Sequence, residues 1–181
     1  MTYYDDIYER AVENYYLIST DEAKDIGVPP VELAKLANRG RLQHVSYGLY
    51  RLSRYVPHQN DPYALSVARV GEGAYLYGES VIAMLQLAPT NPARIFVATP
   101  KRFRGQVPDG LVVITRDDAG DITIYEGIPS QKAGAAIVSC LGKMMPGRLR
   151  AAADRARDEG YLSRKEHVRV LEAIDAHEAT E

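Results

Sequence analysis

Residues 19–52 are cut into short pieces by glycines and prolines. Pro29 and Pro30 stand two and three residues after Gly27, Gly40 comes ten residues after Pro30, and Gly48 follows eight after that. Glycine tolerates the left-handed conformation that ends a helix, and proline is welcome in a helix only at its first turn. No long helix can run through this stretch. It has to fold as helices of two or three turns followed by something shorter still.

The pieces have distinct periods. Ile7, Ala11 and Tyr15, with Val12 and Tyr16, recur at helical spacing, so a first helix is expected over Tyr4–Tyr16. Ser19 stands three residues before Glu22, the capping-box pattern, and starts a second helix that Gly27 ends. Val31–Asn38 continues as a third helix, stopped by Gly40. Arg41–Val45 and Leu49–Leu52 flank Ser46-Tyr47-Gly48 and read as a hairpin. Helix, helix, turn, helix and hairpin within about fifty residues is the order of a winged helix-turn-helix.

Charge singles out the same stretch. Residues 1–28 carry two basic and seven acidic side chains. Residues 29–58 carry Lys35, Arg39, Arg41, Arg51 and Arg54 against Glu32 alone, a net charge of +4 in a chain whose total is −2. The remainder is close to balanced. A local basic segment is the electrostatic footprint expected of a phosphate-binding surface. On the third helix Leu33, Leu36 and Ala37 share one face, while Glu32, Lys35 and Arg39 share the other with Asn38 beside them. A recognition helix needs such a split. Lys and Arg neutralise phosphates or bond guanine, and Asn pairs with adenine through two hydrogen bonds. The hairpin adds Gln43, His44, Ser46 and Tyr47 near its tip, where a wing meets backbone or minor groove. The candidate DNA contacts are Thr20, Lys35, Asn38, Arg39, Arg41, Gln43, His44, Ser46, Tyr47 and Arg51, with Lys101, Arg102 and Arg104 as a second patch.

The rest of the chain mixes helices and strands. Ser53–Asp61 is polar and reads as a linker. Helices are expected from Asp61 to Val70 and from Glu79 to Leu87, the latter ended by Pro89 and Pro92. Arg94–Ala98, Leu111–Ile114 and Ile122–Tyr125 are strand-like, the last two joined as a hairpin by Asp117–Asp121. Three helices follow, at Gln131–Met144, Gly147–Glu159 and Arg164–Ala176, with Ser163 and Glu166 forming a second capping box. The fold class expected is α+β. A winged helix-turn-helix over residues 1–56 precedes a mixed α/β domain over 57–181, with a small sheet and terminal helices.

Catalytic patterns are missing. Asp109, Asp117, Asp118, Asp121 and Glu126 lie among strands, but Glu126-Gly127-Ile128 lacks the Glu-x-Lys that a metal nuclease would use. The Asp117–Asp121 group fits a polar turn. His44, His58, His167 and His177 stand at no metal-ligand spacing, and His167 and His177 are expected on a solvated helix face. Gly71-Glu72-Gly73 lacks the lysine of a phosphate loop, and no serine sits in a nucleophile elbow. No enzyme activity, cofactor or metal is expected. The single cysteine, Cys140, reads as a small buried apolar residue. No stretch reaches the length of a membrane span, and the first residues show no secretory pattern, so a soluble, cytoplasmic protein is expected.

The order Ser19-Thr20-Asp21-Glu22-Ala23, Gly27-Val28, Leu36–Leu42 and Tyr47–Leu52 resembles the AbiEi-type antitoxins of type IV toxin-antitoxin systems. Their hairpin signature is similar to Gly40-Arg41-Leu42 and Gly48-Leu49-Tyr50 here. Tyr77–Leu85, Pro92 and Arg94–Pro100 also resemble the helix, proline and strand that follow in that family. The resemblance covers Leu17–Pro108. It implies a repressor that binds inverted repeats in duplex DNA ahead of its own operon. It also implies a functional link to a nucleotidyltransferase-like toxin without a stable complex. The other reading open from sequence is a winged-helix interaction module whose C-terminal domain binds a partner protein.

Overall fold

The computed structural model describes residues 1–90 and 93–181, and among them the chain is α+β, with eight helices and two small sheets. It divides into two compact units, Met1–Glu72 and Gly73–Glu181.

The first unit opens with α1 (Tyr3–Val12), capped by Thr2, whose hydroxyl accepts from the Asp5 backbone N–H while the Asp5 carboxylate accepts from Thr2. Ile7 and Ala11, one turn apart, are its buried stripe. The helix stops four residues short of the expected Tyr16. Tyr15 and Tyr16 both take left-handed backbone angles, φ 53° and 61°, and Tyr16 N–H donates back to the Ala11 carbonyl. The freed chain becomes β1 (Leu17–Ser19), a strand that no periodicity announces. Ser19 then caps α2 (Thr20–Asp25) through the expected box with Glu22. Next come α3 (Pro30–Asn38), β2 (Leu42–Ser46), β3 (Leu49–Leu52) and α4 (Asp61–Val70).

The strands form an antiparallel sheet in the order β1-β3-β2. Side chains alternate across it. Ile18, Leu42 and Leu52 join Ile7, Ala11, Ala23, Val28 and Leu33 in one core. Leu17 and Leu49 belong to the opposite face; both are buried, and α4 packs against β1.

The second unit is built on a five-stranded sheet in the order β6-β5-β4-β8-β7. Its strands are β4 (Tyr75–Leu76), β5 (Ile95–Thr99), β6 (Leu111–Thr115), β7 (Ile122–Tyr125) and β8 (Ile128–Gln131). The expected hairpin between β6 and β7 does not form. These strands occupy opposite edges, β6 parallel to β5 and β7 antiparallel to β8. The tight hairpin is instead β7–β8, turned by Glu126 and Gly127 with φ of 52° and 76°. Two consecutive positive φ values are what a two-residue turn needs to match strand twist. Asp117–Asp121 spans from one edge to the other.

The helices of this unit are α5 (Glu79–Met84), α6 (Ala133–Ser139), α7 (Pro146–Asp158) and α8 (Arg164–Glu178). Helix α5 ends before the expected Leu87, and Gln86 has φ 54°. Pro92, expected to help end it, lies outside the described residues. Helix α6 is shorter than the expected Gln131–Met144 because Gln131 belongs to β8. Its buried amide accepts from Gly78 N–H at 3.0 Å and donates to Ser139 Oγ at 2.9 Å. Ser163 and Glu166 form the expected box at the start of α8. His167 is not on a solvated face. It is buried, with Nε2 2.7 Å from Asp154 Oδ1, because α8 packs on α7 there. His177 is half-buried, its Nδ1 3.7 Å from a Glu181 carboxylate oxygen. Cys140 is buried next to Gly78.

Candidate nucleic-acid interface

Helix α3 starts on Pro29 and Pro30, which supply a pre-set φ where the missing N–H costs nothing. Leu33 is fully buried, and Leu36 and Ala37 pack half-buried on the same core. That leaves Lys35, Asn38 and Arg39 exposed. Lys35 Nζ sits 2.9 Å from Glu32 Oε1, a surface pair one turn apart. Such a pair contributes about 0–1 kcal/mol and is readily exchanged for another anion. Asn38 is the last helical residue and Arg39 caps the helix through its backbone. Among the described residues the Arg39 side chain has no ion pair.

Helix α3 packs against β2, so the hairpin follows it directly. Gln43 and His44 are exposed, and the His44 ring stands edge-on to Tyr50 at 5.1 Å. Tyr47, at the turn, is fully exposed at 102%. A ring exposed at the hairpin tip contributes nothing to the core and is free to meet a ligand. The exposed polar candidates are therefore Lys35, Asn38, Arg39, Arg41, Gln43, His44 and Tyr47.

The remaining candidates, Thr20, Ser46 and Arg51, are half-buried, and Arg41 and Arg51 lie over aromatic rings. Thr20 is half-buried, and its backbone N–H and its hydroxyl both donate to the Gly48 carbonyl, at 2.8 and 3.3 Å. Ser46 Oγ is buried without a hydrogen-bond partner, at a register shift between His44 and Ser46. Arg41 and Arg51 lie on tyrosines, their guanidinium carbons 3.9 Å from the Tyr4 ring centroid and 4.7 Å from that of Tyr55. Lys101, Arg102 and Arg104 are exposed in the second unit, on the loop after β5.

Two arrangements escape a reading by short motifs. In the second unit Tyr75, Tyr77, Arg116 and Asp118 form a connected network. The Tyr75 hydroxyl donates to Asp118 Oδ2 at 2.5 Å, Arg116 Nη2 bonds Asp118 Oδ1 at 2.6 Å, and Arg116 Nη1 donates to the Tyr77 hydroxyl at 2.7 Å. Burial pushes the Tyr75 phenol above its ordinary range, and Asp118 adds to the push. Burial also works against the Asp118 carboxylate, but hydrogen bonds from Arg116 and Tyr75 outweigh it and hold its pKa below the ordinary value. So Asp118 is more than a turn residue. In the first unit four tyrosines gather around one cleft, described below. The available signal was the excess of tyrosine, 13 against two phenylalanines and no tryptophan.

Among the described residues no group of three or more His, Cys, Asp or Glu is placed to hold a metal ion, and no helix is long and apolar enough to cross a membrane. No protein-family model matches this chain, and no curated protein is significantly similar to it.

Proposed function

We propose that the first unit is a winged helix that docks on duplex DNA, with α3 in the major groove and the β2–β3 hairpin as its wing. The observation that carries this reading is on α3. Lys35, Asn38 and Arg39 are exposed on a helix whose opposite side is buried, within the one segment of strong positive charge. The exposed Gln43, His44 and Tyr47 supply the wing contacts. Arg41 and Arg51, each lying over a tyrosine ring, add positive potential to the same segment.

With the likeness to AbiEi-type antitoxins, the reading extends to a cytoplasmic autorepressor. It binds inverted repeats ahead of its own operon and has no catalytic role of its own. A nucleotidyltransferase-like toxin is its functional counterpart, and the α/β unit is its antitoxin-like domain. A gel shift with duplex from upstream of the gene, run over a salt series, tests the reading. Binding is expected at low salt, with log affinity falling linearly against log salt. Absence of a shifted band with any duplex at low salt contradicts it.

A further inference from the structure

The first unit holds a cleft of about 1010 Å³ whose lining includes four tyrosines, Tyr4, Tyr8, Tyr16 and Tyr55, and two arginines, Arg41 and Arg54, with Val56 and Pro57 beside them. Among the described residues no carboxylate lines it. Tyr4 and Tyr8 stand one turn apart on α1, their ring centroids 6.4 Å apart, while the Tyr16 and Tyr55 rings are tilted by 52° with centroids 6.2 Å apart. The Arg41 guanidinium carbon lies over the Tyr4 ring, 3.9 Å from its centroid, and that of Arg51 lies over Tyr55 at 4.7 Å. Stacking leaves the N–H edges of a guanidinium available for an anion. Among the described residues neither Arg41 nor Arg54 has an ion pair. Asp5, whose carboxyl is held low chiefly by the hydrogen bond from Thr2, feels Arg41 only as its weakest influence and faces its own cap.

The backbone gives a second indication. Tyr15 and Tyr16 are consecutive non-glycine residues in the left-handed region. That conformation costs roughly 1–2 kcal/mol per residue, and such strain gathers where side chains are held for a ligand. Here it carries Tyr16 into the cleft.

We infer that this cleft binds a free nucleotide, its planar base stacked on the tyrosines and its phosphate held by Arg41 and Arg54. Aromatic faces stack on any base, guanidinium groups bind phosphate through paired N–H donors, and the volume is at the upper end of small-molecule sites. The inference does not depend on DNA binding, since the cleft lining excludes Lys35, Asn38 and Arg39 of α3.

Isothermal titration calorimetry of the intact chain with the four ribonucleoside monophosphates, their nucleosides and inorganic phosphate tests it. At least one monophosphate is expected to bind at or below about 1 mM, with its nucleoside weaker by about tenfold or more and phosphate alone undetectable. Tyr8→Ala and Arg54→Ala change exposed residues, so both variants are expected to keep the native circular dichroism spectrum. Each should weaken binding on the order of 5–150-fold. The inference is overturned by no heat from any monophosphate. It is equally overturned by affinity unchanged in both variants, or by binding of a single-stranded oligonucleotide but of no mononucleotide.

Discussion

The hydroxyl of Thr20 donates to the carbonyl of Gly48, 28 residues further along the chain, at 3.3 Å. This bond and the Thr20 backbone bond to the same carbonyl fasten the start of α2 to the hairpin turn. Gly48 has φ of +67°, and a Cβ there would come 3.4 Å from the Thr20 hydroxyl. Gly48→Ala is therefore expected to destabilise the first unit by about 1–2 kcal/mol. Thr20→Val, which keeps the shape and removes the donor, should cost about 1 kcal/mol. Urea unfolding of the two variants checks both values.

The Tyr75–Asp118–Arg116 network makes the second unit sensitive to acid. The folded pKa of Asp118 lies below its unfolded value, so its contribution is present above the ordinary carboxylate range and is lost as pH falls through the folded value. Asp118→Asn removes the charge from a side chain that is only 9% exposed. It should cost about 1–2 kcal/mol at neutral pH, discounted for the exposure of Arg116, and the gap to wild type should narrow below pH 4. Thermal melts of both proteins between about pH 3 and 7 read this out.

Cys140 gives the opposite sign. Burial pushes its thiol from 9.0 up to about 12. A raised folded value means that its contribution is complete below pH 9 and is lost as pH climbs toward 12. In the native protein at pH 8 the thiol should be inert to a disulfide reagent such as dithionitrobenzoate, and it should react fully once the chain is unfolded in guanidinium. Cys140→Ala should flatten the alkaline limb of the stability curve. Rapid labelling of the native protein would contradict this placement of the sulfur.

What could be read from sequence was what is decided locally. The Ser19–Glu22 and Ser163–Glu166 boxes are each closed by residues three apart, and both form. Helix α3 is bounded as its prolines and Gly40 dictate. Strand pairing is decided at a distance, so Ile122–Tyr125 was recognisable as a strand but its partner was not. The partner is Ile128–Gln131, whose proline and two polar residues hide the strand pattern. Strand β1 was invisible because three residues show no period, and because α1 ends in an unusual backbone conformation at Tyr15 and Tyr16. Of the candidate interface, the exposed face of α3 could be read from helical spacing alone. The packing of Arg41 over Tyr4 could not, because the two residues lie 37 positions apart in the chain.

Fluorescence anisotropy of the labelled upstream duplex, titrated with wild type and with Lys35→Ala and Arg39→Ala at fixed salt, tests most directly whether α3 reads DNA. Both substitutions lie on the exposed face, so the fold should be unchanged by circular dichroism. Each is expected to weaken binding by about 1–3 kcal/mol, roughly five- to 150-fold. Affinity unchanged in both variants would contradict the assignment of α3 as the DNA-reading helix.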